Sequence, residues 1–274
     1  MSIESEVAAH YSRPDFEAAI VEALASAGKS TDPIATGDLV GVDEFHFGWR
    51  PATVAFAADL AFPPGAHVLD IGSGIGGPAR YFAEVSDLRV TGIDLTPDFV
   101  ATAIGLTRRC GLADRVDFRQ GSALSLPFPD ATFDGATIIH VGMNIADKAK
   151  VFAEAHRVLK PGSRFGVYEA MRGRDGDLAY PMPWAETPAT SFVETPATYR
   201  RLLEAAGFTI EHEVDRSALV AELGRKMRET AARDGLPAVG LQILLGPSLP
   251  ARMGNALAAI DAGILAPTEI IARA

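Results

Sequence analysis

The sequence lacks the patterns that indicate disulfides, metal sites or membrane spans. Its 274 residues include one cysteine, Cys110, so neither an intrachain disulfide nor a cysteine-rich zinc site can form. No apolar run approaches the roughly 18 to 20 residues that cross a bilayer. The H-E-x-x-H pattern of zinc enzymes is also missing, and we expect no catalytic metal. These absences favour a globular protein from a reducing compartment.

Positive charge is scarce as well. The chain has 25 lysine and arginine residues against 35 aspartate and glutamate residues, and its formal net charge is -10. Because nucleic acids recruit basic patches, this balance disfavours a DNA or RNA partner. The beginning of the chain is too acidic for a signal peptide and lacks its apolar stretch. We therefore expect a cytoplasmic protein without a membrane partner.

The centre of the chain contains a regular alternation of strands and helices. Short β-branched runs predict strands, and apolar residues at helical spacing predict helices. The predicted strands are 66–71, 89–94, 115–120, 133–139, 163–170, 208–215 and 269–274. The predicted helices of this region are 76–86, 97–111, 148–160 and 195–207. This order predicts an α/β fold with a Rossmann-like, doubly wound sheet of seven strands, mostly parallel, with the last strand antiparallel.

Three segments follow from this pattern. Residues 1–60 form a predicted N-terminal helical lead or lid, and residues 61–215 form the predicted cofactor-binding core. Residues 216–274 comprise a helical insert and the final strand, which completes the core. A long insertion in a compact domain usually serves as a lid or as an oligomer contact. Its apolar stretches predict packing over the site or a homodimer contact, and the sequence leaves both open.

The strongest local signal is the run VLDIGSGIGG, in which a strand ends, turns on glycines and leads into a helix. Glycines let a ligand approach the backbone closely, and the first turn of the helix offers free N–H groups. Gly72, Gly74 and Gly77 also match G-x-G-x-x-G, so a nicotinamide dinucleotide has to be considered. Asp70, just before the glycines, would repel a pyrophosphate but favour the ammonium group of a methionine moiety.

A second acid, Asp94, ends the next predicted strand, 17 residues past Gly77. A carboxylate at this position can accept both hydroxyl groups of a ribose. Both cofactor classes contain that ribose, so Asp94 indicates a nucleoside without identifying it. Because ligands of parallel sheets bind beyond the carboxyl ends of the strands, we expect the site in the loops that follow these strands.

Four motifs in order resemble those of class I S-adenosylmethionine-dependent methyltransferases: LDIGSGIGG, GIDLT, GSALSLPFPDATFDGA and HRVLKPGSRFGVYE. The resemblance covers about residues 45–210. It is greatest to ubiquinone/menaquinone C-methyltransferases and sarcosine/dimethylglycine N-methyltransferases. It implies S-adenosylmethionine (SAM) as the cofactor and S-adenosylhomocysteine (SAH) as its product. Four motifs with matching gaps are more specific than one glycine loop.

The resemblance also implies which residues hold the cofactor. The methionine part would lie against Asp70, Gly72, Ser73, Gly74 and Gly76, the ribose against Asp94, the adenine against Leu95, Ser122 and Ala123, and the sulfur near His140. The family often has an aspartate at the position of Ser122, which accepts the adenine amino group. A serine hydroxyl or the backbone N–H of Ala123 could contact the ring instead.

Methyl transfer is an in-line displacement, so positioning is the largest contribution that a protein can make. A base is needed only where the acceptor must lose a proton. His140, at the end of the fourth predicted strand, is the leading candidate for that catalytic base, or it only contacts cofactor and backbone. Glu169, at the end of the fifth, could steer a cationic substrate or be a paired structural acid.

The predicted substrate-binding residues are Tyr11, His46, Trp49, Tyr180 and Trp184. The first belongs to the helical lead. The next two lie in a segment, 42–53, that resembles the pre-core segment closing over the cofactor in related enzymes, although its alternating aromatic residues also fit core packing. The last two lie in a proline-rich loop, 179–192, where they could stack on a substrate or hold an ammonium group by cation–π contact. Anchoring of an irregular loop is the alternative.

The motifs and these residues predict a SAM-dependent methyltransferase that acts on a small molecule. The aromatic loop and the family resemblance slightly favour an amine nitrogen over an oxygen or a carbon as the methyl acceptor. Two alternatives stay open at this point. One is a nicotinamide-dependent oxidoreductase on the same core, and the other is a SAM-binding protein without catalytic activity.

Overall fold

Seven strands form one mixed sheet in the computed structural model, which describes residues 2–274. The strands are β1 (His67–Ile71), β2 (Arg89–Asp94), β3 (Val116–Gln120), β4 (Phe133–Ile139), β5 (Leu159–Arg172), β6 (Thr209–Asp215) and β7 (Leu265–Arg273). Their spatial order is β3-β2-β1-β4-β5-β7-β6. Strands β1 to β5 are parallel, and β7 runs antiparallel to both β5 and β6. The predicted Rossmann-like sheet with an antiparallel last strand is therefore confirmed.

Helices precede the sheet, connect its strands and fill the insert. They are α1 (Ile3–Tyr11), α2 (Phe16–Ser26), α3 (Val40–Asp43), α4 (Trp49–Leu60), α5 (Gly77–Val85), α6 (Pro97–Arg109), α7 (Lys148–Val158), α8 (Pro196–Ala205), α9 (Ser217–Asp234), α10 (Gln242–Leu245) and α11 (Leu249–Asp261). Helices α9 to α11 form the insert between β6 and β7. Within the described part of the chain, every helix is too short or too polar to cross a membrane.

The apolar core lies on both faces of the sheet, because successive residues of a strand point to opposite faces. On β1, Val68 packs in one cluster with Phe56 of α4 and Phe82 of α5. The next residue, Leu69, belongs to another cluster, with Phe152 of α7. Helices thus cover both faces of the central strands, and for this reason those strands are nearly continuous apolar runs in the sequence.

Two strands begin four residues earlier than the sequence predicts, β5 and β7. Strand β5 begins at Leu159, inside the predicted helix, because Leu159 already pairs with Phe133 of β4 next to a shift in register. Strand β7 begins at Leu265, four residues before the predicted start. Pro267 hides this part of the strand in the sequence, since proline rarely occurs inside a sheet. In the structure its carbonyl accepts the N–H of Arg216 at 2.8 Å, which ties the start of the insert to β7.

Candidate active site

The carboxyl ends of the parallel strands open into a cavity of about 370 Å³, within the size range of small-molecule sites. Ligands of doubly wound sheets bind at this edge, where the order of the strands reverses between β1 and β4. The loops after β1 to β5 all contribute side chains to the cavity wall. Helix α1, the segment 43–47, the insert, the strand ends and the first turns of α5 and α6 supply the rest.

The glycine loop after β1 has a tight backbone. Gly72 has a φ of 73°, and a side chain there would collide with Val141 of the loop after β4. Gly76, with a φ of 86°, begins the turn into α5, and a side chain there would collide with Phe118. The loop residues that line the cavity are Gly72, Ser73, Gly74 and Ile75. Gly76 lies outside the wall, where it shapes the turn, and its cofactor contact stays a prediction.

Asp70, in β1, is almost completely buried, with 2% of its surface exposed. Its Oδ1 accepts a hydrogen bond from Thr137 Oγ1 at 2.9 Å, and its Oδ2 has no partner among residues 2–274. Burial raises the pKa of this carboxyl to about 7, and the hydrogen bond from Thr137 only partly opposes the shift. The hydroxyl of Ser73 is also buried without a described partner. A cationic N–H donor would satisfy Asp70 and favour its ionised form.

Asp94, the last residue of β2, joins the glycine loop to the start of α6. Its Oδ2 accepts the N–H of Gly74 at 2.8 Å, and its Oδ1 accepts the N–H of Thr96 at 2.8 Å. Burial raises the pKa of the carboxyl, although these hydrogen bonds oppose the shift. Each oxygen keeps a second lone pair, so Asp94 can accept two ligand hydroxyls without losing the loop contacts. Leu95 follows it on the cavity wall.

Helix α1 covers the part of the cavity next to the loop after β3. In that loop, Ser122 Oγ donates to Glu4 of α1 and accepts the N–H of Leu124 at 3.0 Å. Ser122 and Ala123 both line the cavity, on the side where the resemblance places the adenine. Because the Ser122 hydroxyl already has two partners, it is a weaker candidate for an adenine contact than the sequence alone indicates.

His140 links the loop after β4 to the segment before α4. Its φ of 53° lies in the left-handed region that residues other than glycine rarely adopt. Its Nε2 accepts the N–H of Phe47 at 3.2 Å, which leaves Nδ1–H to donate to the Tyr168 carbonyl at 3.1 Å. Burial lowers the pKa of the ring well below 6.5. The ring lines the cavity, but its lone pair is engaged, so the geometry disfavours the predicted role of general base.

Glu169 lies inside β5, is fully buried and does not line the cavity. Its carboxylate accepts the N–H of Gly142 at 2.7 Å and that of Val141 at 3.1 Å. Burial raises its pKa to about 7, and these backbone hydrogen bonds oppose the shift. The structure thus favours the alternative, a structural acid, because Glu169 holds the loop that carries His140.

The side of the cavity opposite the glycine loop is built around Asn144, which the sequence analysis misses. Asn144 Oδ1 accepts the hydroxyl of Tyr11 at 2.8 Å, and its Nδ2 donates to the Trp184 carbonyl at 2.8 Å. Trp184 Nε1 in turn donates to Ser191 Oγ at 2.9 Å. Tyr11, Asn144 and Trp184 all line the cavity. No spacing in the sequence indicates Asn144, because its partners come from distant segments.

Two predicted substrate residues lie outside the cavity. Trp49, the first residue of α4, is buried against Leu241 and Leu249 of the insert. Tyr180 packs at the edge of the apolar cluster that contains Trp184. For both residues the structure favours the alternative, packing of the core or of an irregular loop.

His46, also predicted to bind substrate, lines the cavity and has a buried partner that the sequence analysis misses. Glu44 is fully buried and accepts hydrogen bonds from His46 Nε2 at 2.7 Å and from Thr53 Oγ1 at 2.6 Å. Burial alone would raise the pKa of Glu44, but the hydrogen bonds from His46 and Thr53 and the guanidinium of Arg50, 2.6 Å away, outweigh it, so the pKa is lowered. In the sequence, Glu44 is indistinguishable from a surface acid of a linker.

The cavity wall carries acidic side chains but, among the residues described, no lysine or arginine. Its acids are Glu4, Asp43, Asp70, Asp94 and Asp147. Arg80 donates to Asp43 at 2.6 Å from behind the wall, where it is fully buried. The rest of the wall is mainly apolar. Such a wall attracts a cationic ligand and offers no ammonium or guanidinium group to a phosphate.

A separate group of ionisable side chains lies on α4, β6 and β7. Potential ligand atoms of Asp59, His212 and Glu269 lie within 4.8 Å of one another. Arg216 donates to Asp59, and to Glu269 at 2.8 Å. Because this guanidinium already neutralises both carboxylates, we interpret the group as an ion-pair network that fixes the start of α9.

Residues 69–167 match the family model described as Methyltransferase domain. These residues form a methyltransferase domain. A similar sterol 24-C-methyltransferase of Gibberella zeae is 39% identical over 113 residues, which are 41% of this chain and 30% of that protein. That of Eremothecium gossypii is 32% identical over 212 residues, which are 73% of this chain and 50% of that protein. The chain thus spans half or less of the length of these relatives.

Solved structures show the fold of this methyltransferase domain. The [4+2]-cyclase SpnF is 27% identical, with a TM-score of 0.64 over 81% of this chain and 80% of that chain. A phosphoethanolamine N-methyltransferase of Haemonchus contortus, bound to phosphomonomethylethanolamine and SAH, is 20% identical. Its TM-score is 0.73 over 100% of this chain and 60% of that chain.

A third structure, geranyl diphosphate C-methyltransferase of Streptomyces coelicolor with SAH, is 18% identical. Its TM-score is 0.66 over 82% of this chain and 80% of that chain. These matches select the methyltransferase prediction over a nicotinamide-dependent oxidoreductase, and they agree with SAM as the cofactor of the domain.

Proposed function

We propose that this chain is a SAM-dependent methyltransferase whose acceptor is a carbon atom of a small, neutral and largely apolar molecule. The observation that carries the proposal is the placement of two buried acids, Asp70 and Asp94, on the adjacent strands β1 and β2 beside the glycine loop. The first has a carboxylate oxygen without a described partner, and the second keeps lone pairs beyond its loop contacts. This donor set suits a ligand with an ammonium group at one end and a ribose diol further along.

The cofactor supplies an electrophilic methyl group on a sulfonium centre, and the residues of this chain position it. Asp70 and the Ser73 hydroxyl would bind the amino-acid end, and Asp94 would bind the ribose. Leu95 and Ala123 would pack against the adenine. Their common effect is to aim the reactive group at the opposite side of the cavity, and such positioning can supply much of the rate enhancement.

That opposite side favours carbon as the acceptor. Its lining residues are Tyr11, Phe45, Phe47, Met143 and Trp184. Aromatic and thioether side chains stabilise a hydrocarbon by burial. The similar curated proteins from Gibberella zeae and Eremothecium gossypii are both named for methylating a sterol carbon. A carbon acceptor therefore replaces the amine nitrogen that the sequence slightly favours.

Transfer of the methyl group to a carbon–carbon double bond would break its bond to sulfur, release SAH and leave positive charge on the neighbouring carbon. The acceptor would become neutral again by losing a proton to water. Phe47 and Trp184 lie edge to face, with ring centroids 6.2 Å apart, and their π-systems can stabilise that charge. His140 fastens the segment that carries Phe47, and the hydrogen bond from Asn144 fixes the backbone of Trp184. The chain thus contributes a rigid aromatic wall.

The first test is cofactor binding, measured by calorimetry. We expect SAM and SAH to bind with micromolar affinity and NAD to leave no measurable heat. Transfer of an isotopically labelled methyl group, followed by mass spectrometry, then tests the acceptor. We expect label on a carbon of a sterol or isoprenoid with a free double bond. Binding of NAD instead of SAM, or label found only on the nitrogen of amines, would contradict the proposal.

A matched pair of acceptors tests the charge of the site. Geraniol and geranyl diphosphate share one hydrocarbon chain and differ in the phosphate groups. Because the described cavity wall contains no lysine or arginine, we expect binding of geraniol and no competition by geranyl diphosphate without an added metal ion. Tighter binding of the diphosphate would show that the acceptor is phosphorylated.

The second candidate function is SAM binding without methyl transfer. It is favoured by the likeness to the [4+2]-cyclase SpnF, which has the same fold at 27% identity. The two functions share the cofactor crevice and differ only in turnover. Tight SAM binding without label on any member of a panel of amines, phenols, sterols and isoprenoids would support this second function.

A further inference from the structure

The insert between β6 and β7 forms part of the cavity itself. Leu241 and Leu244 of the α10 region and Met253 of α11 line the same cavity as the glycine loop. We call these three side chains the apolar roof. Leu241 is also buried against Trp49 at the start of α4, so the insert packs directly on the segment beside the cavity. The sequence leaves this location open.

The apolar roof is fastened on two sides. On one side, Arg252 of α11 donates from Nη1 to the Met182 carbonyl at 2.6 Å, two residues before Trp184 on the cavity wall. On the other, Arg13 donates from Nη1 to the Ile243 carbonyl of α10 at 3.1 Å. The insert is therefore tied both to the loop after β5 and to the helical lead. A ligand beneath it meets side chains in fixed positions.

The chemistry of the apolar roof limits what can lie beneath it. Leucine and methionine offer no hydrogen-bond donor and at most a weak acceptor, so a ligand gains there only through buried apolar area. The roof also lies outside residues 69–167, the part that matches the methyltransferase family. Likeness to that family model therefore carries no information about the size of acceptor that this roof admits.

We infer that Leu244 and Met253 of the apolar roof set the size of the acceptor, a neutral apolar molecule whose hydrocarbon end lies beneath them. This inference rests on the proposed function and deepens it. The two residues belong to separate helices, so each limits the space independently. Removing either side chain lengthens the space for the hydrocarbon end, and enlarging Leu244 shortens it.

The experiment measures acceptor binding to the complex of the full chain with SAH, by quenching of tryptophan fluorescence. The probes are geraniol, farnesol and geranylgeraniol, which share one head group and increase in length. In Leu244→Ala and Met253→Ala we expect the affinity ratio of geranylgeraniol to geraniol to rise about tenfold. Leu244→Trp should lower that ratio. The affinity for SAH should stay within about twofold in all three variants, as measured by calorimetry.

The matched control is Leu245→Ala, in the same helix but outside the described cavity wall. It removes the same group of atoms and should change binding of the three alcohols equally. An unchanged length preference in both Leu244→Ala and Met253→Ala would overturn the inference. If Leu244→Ala does not fold, Met253→Ala on α11 provides the same test.

Hydrogen exchange of the unmodified protein gives a measurement without substitutions. Geranylgeraniol added to the SAH complex should slow exchange in residues 241–253, whereas SAH alone should not. Protection by SAH alone would instead place the roof over the cofactor and overturn the inference. Failure of the proposed function is distinguishable, because it is measured on the unmodified chain, as binding of NAD instead of SAM or as label only on amine nitrogen, whereas this inference fails on the length preference of the variants.

Discussion

Asp70, Asp94 and Glu169 occupy comparable positions near the carboxyl ends of strands, and their partners separate their roles. The second oxygen of Asp70 has no partner among residues 2–274, whereas both oxygens of Asp94 accept backbone N–H groups. Glu169 is fully engaged by the loop after β4 and lies off the cavity wall. Burial raises the pKa of all three carboxyls, so the pKa alone does not identify the cofactor-binding acids.

For Asp70 we expect a pH-dependent affinity for SAM. Its carboxyl has a pKa of about 7, and only the ionised form attracts an ammonium group, so the affinity should rise as the pH increases through 7. Asp70→Asn should bind SAM about tenfold more weakly at pH 8 and lose the pH dependence. Calorimetry with 5′-methylthioadenosine, which lacks the amino-acid tail, is the control. A similar loss for this ligand would contradict the role of Asp70.

For Asp94 we expect a loss of ligand affinity that does not depend on the amino-acid tail of the ligand. Asp94→Ala removes the acceptor of the ribose hydroxyls and the support of Gly74. SAH and 5′-methylthioadenosine should therefore both bind about ten- to a hundredfold more weakly. The control is Asp114→Ala, an exposed acid outside the cavity wall. Unchanged calorimetric affinity in Asp94→Ala would rule out the ribose contact.

For Glu169 we expect an effect on stability. Its pKa is raised by burial from 4.5 to about 7 in the folded protein, so folding favours the protonated form. The protonated form contributes roughly 3 kcal/mol to the free energy of unfolding, at about 1.4 kcal/mol per pKa unit. This contribution is complete below the unfolded pKa of 4.5 and is lost as the pH rises through 7. Urea unfolding measures the free energy of unfolding at pH 5 and at pH 7.5. Between these two pH values it should decrease less in Glu169→Gln than in the unmodified protein. Equal decreases would contradict this expectation.

At the scale of elements, α1 is held over the cavity mainly by side-chain hydrogen bonds. Val7 is its only buried residue within Ile3–Tyr11. Tyr11 donates to Asn144 at 2.8 Å, and Glu4 accepts from Ser122. An element with so little buried apolar surface opens more easily than the sheet beneath it.

Tyr11→Phe tests this hold on α1, because it keeps the ring and removes the hydroxyl that Asn144 accepts. Loss of one hydrogen bond of about 1 kcal/mol should accelerate release of SAH about fivefold. Stopped-flow fluorescence measures that rate. Tyr81→Phe on α5, outside the cavity wall, is the control and should release SAH at the unmodified rate. Equal rates for both variants would show that the hydrogen bond does not retain α1.

The elements also show what the sequence can and cannot predict. The central strands are predictable because their apolar runs are covered on both faces, and the glycine loop because its turn needs glycine. The start of β7 is not predictable, because Pro267 interrupts its pattern. The roles of Asn144 and Glu44 are not predictable either, because they depend on partners that only folding brings close. For Glu169 the sequence leaves two roles open for the same reason, since a strand end does not reveal the direction of the side chain.

At the scale of the whole molecule, the last strand has two neighbours. Strand β7 pairs with β5 along Arg164–Arg172 and with β6 along Thr209–Asp215. Removal of residues 264–274 should therefore abolish cooperative unfolding, which circular dichroism would record as a broad transition without a pre-transition baseline. Arg273→Ala, at the exposed end of β7, is the control and should unfold cooperatively. A cooperative transition in the truncated chain would contradict this expectation.

A homodimer contact through the insert stays a prediction. The sequence favours either a lid or a homodimer contact for the insert, and in the structure the insert reaches the cavity. A homodimer through its outer surface is compatible with that location. The acceptor, neutral and apolar in our proposal, is a small-molecule partner that only the labelled-methyl assay identifies.

The position of β7 has a consequence for how the protein is made. A ribosome synthesises β6 and the whole insert before the strand that separates β6 from β5. Until then the growing chain exposes an unpaired strand edge on β5, and such edges invite association with other chains. We expect nascent chains stalled before residue 265 to be bound by chaperones, and chains extended after Ala274 by a linker that fills the ribosomal exit tunnel to be released.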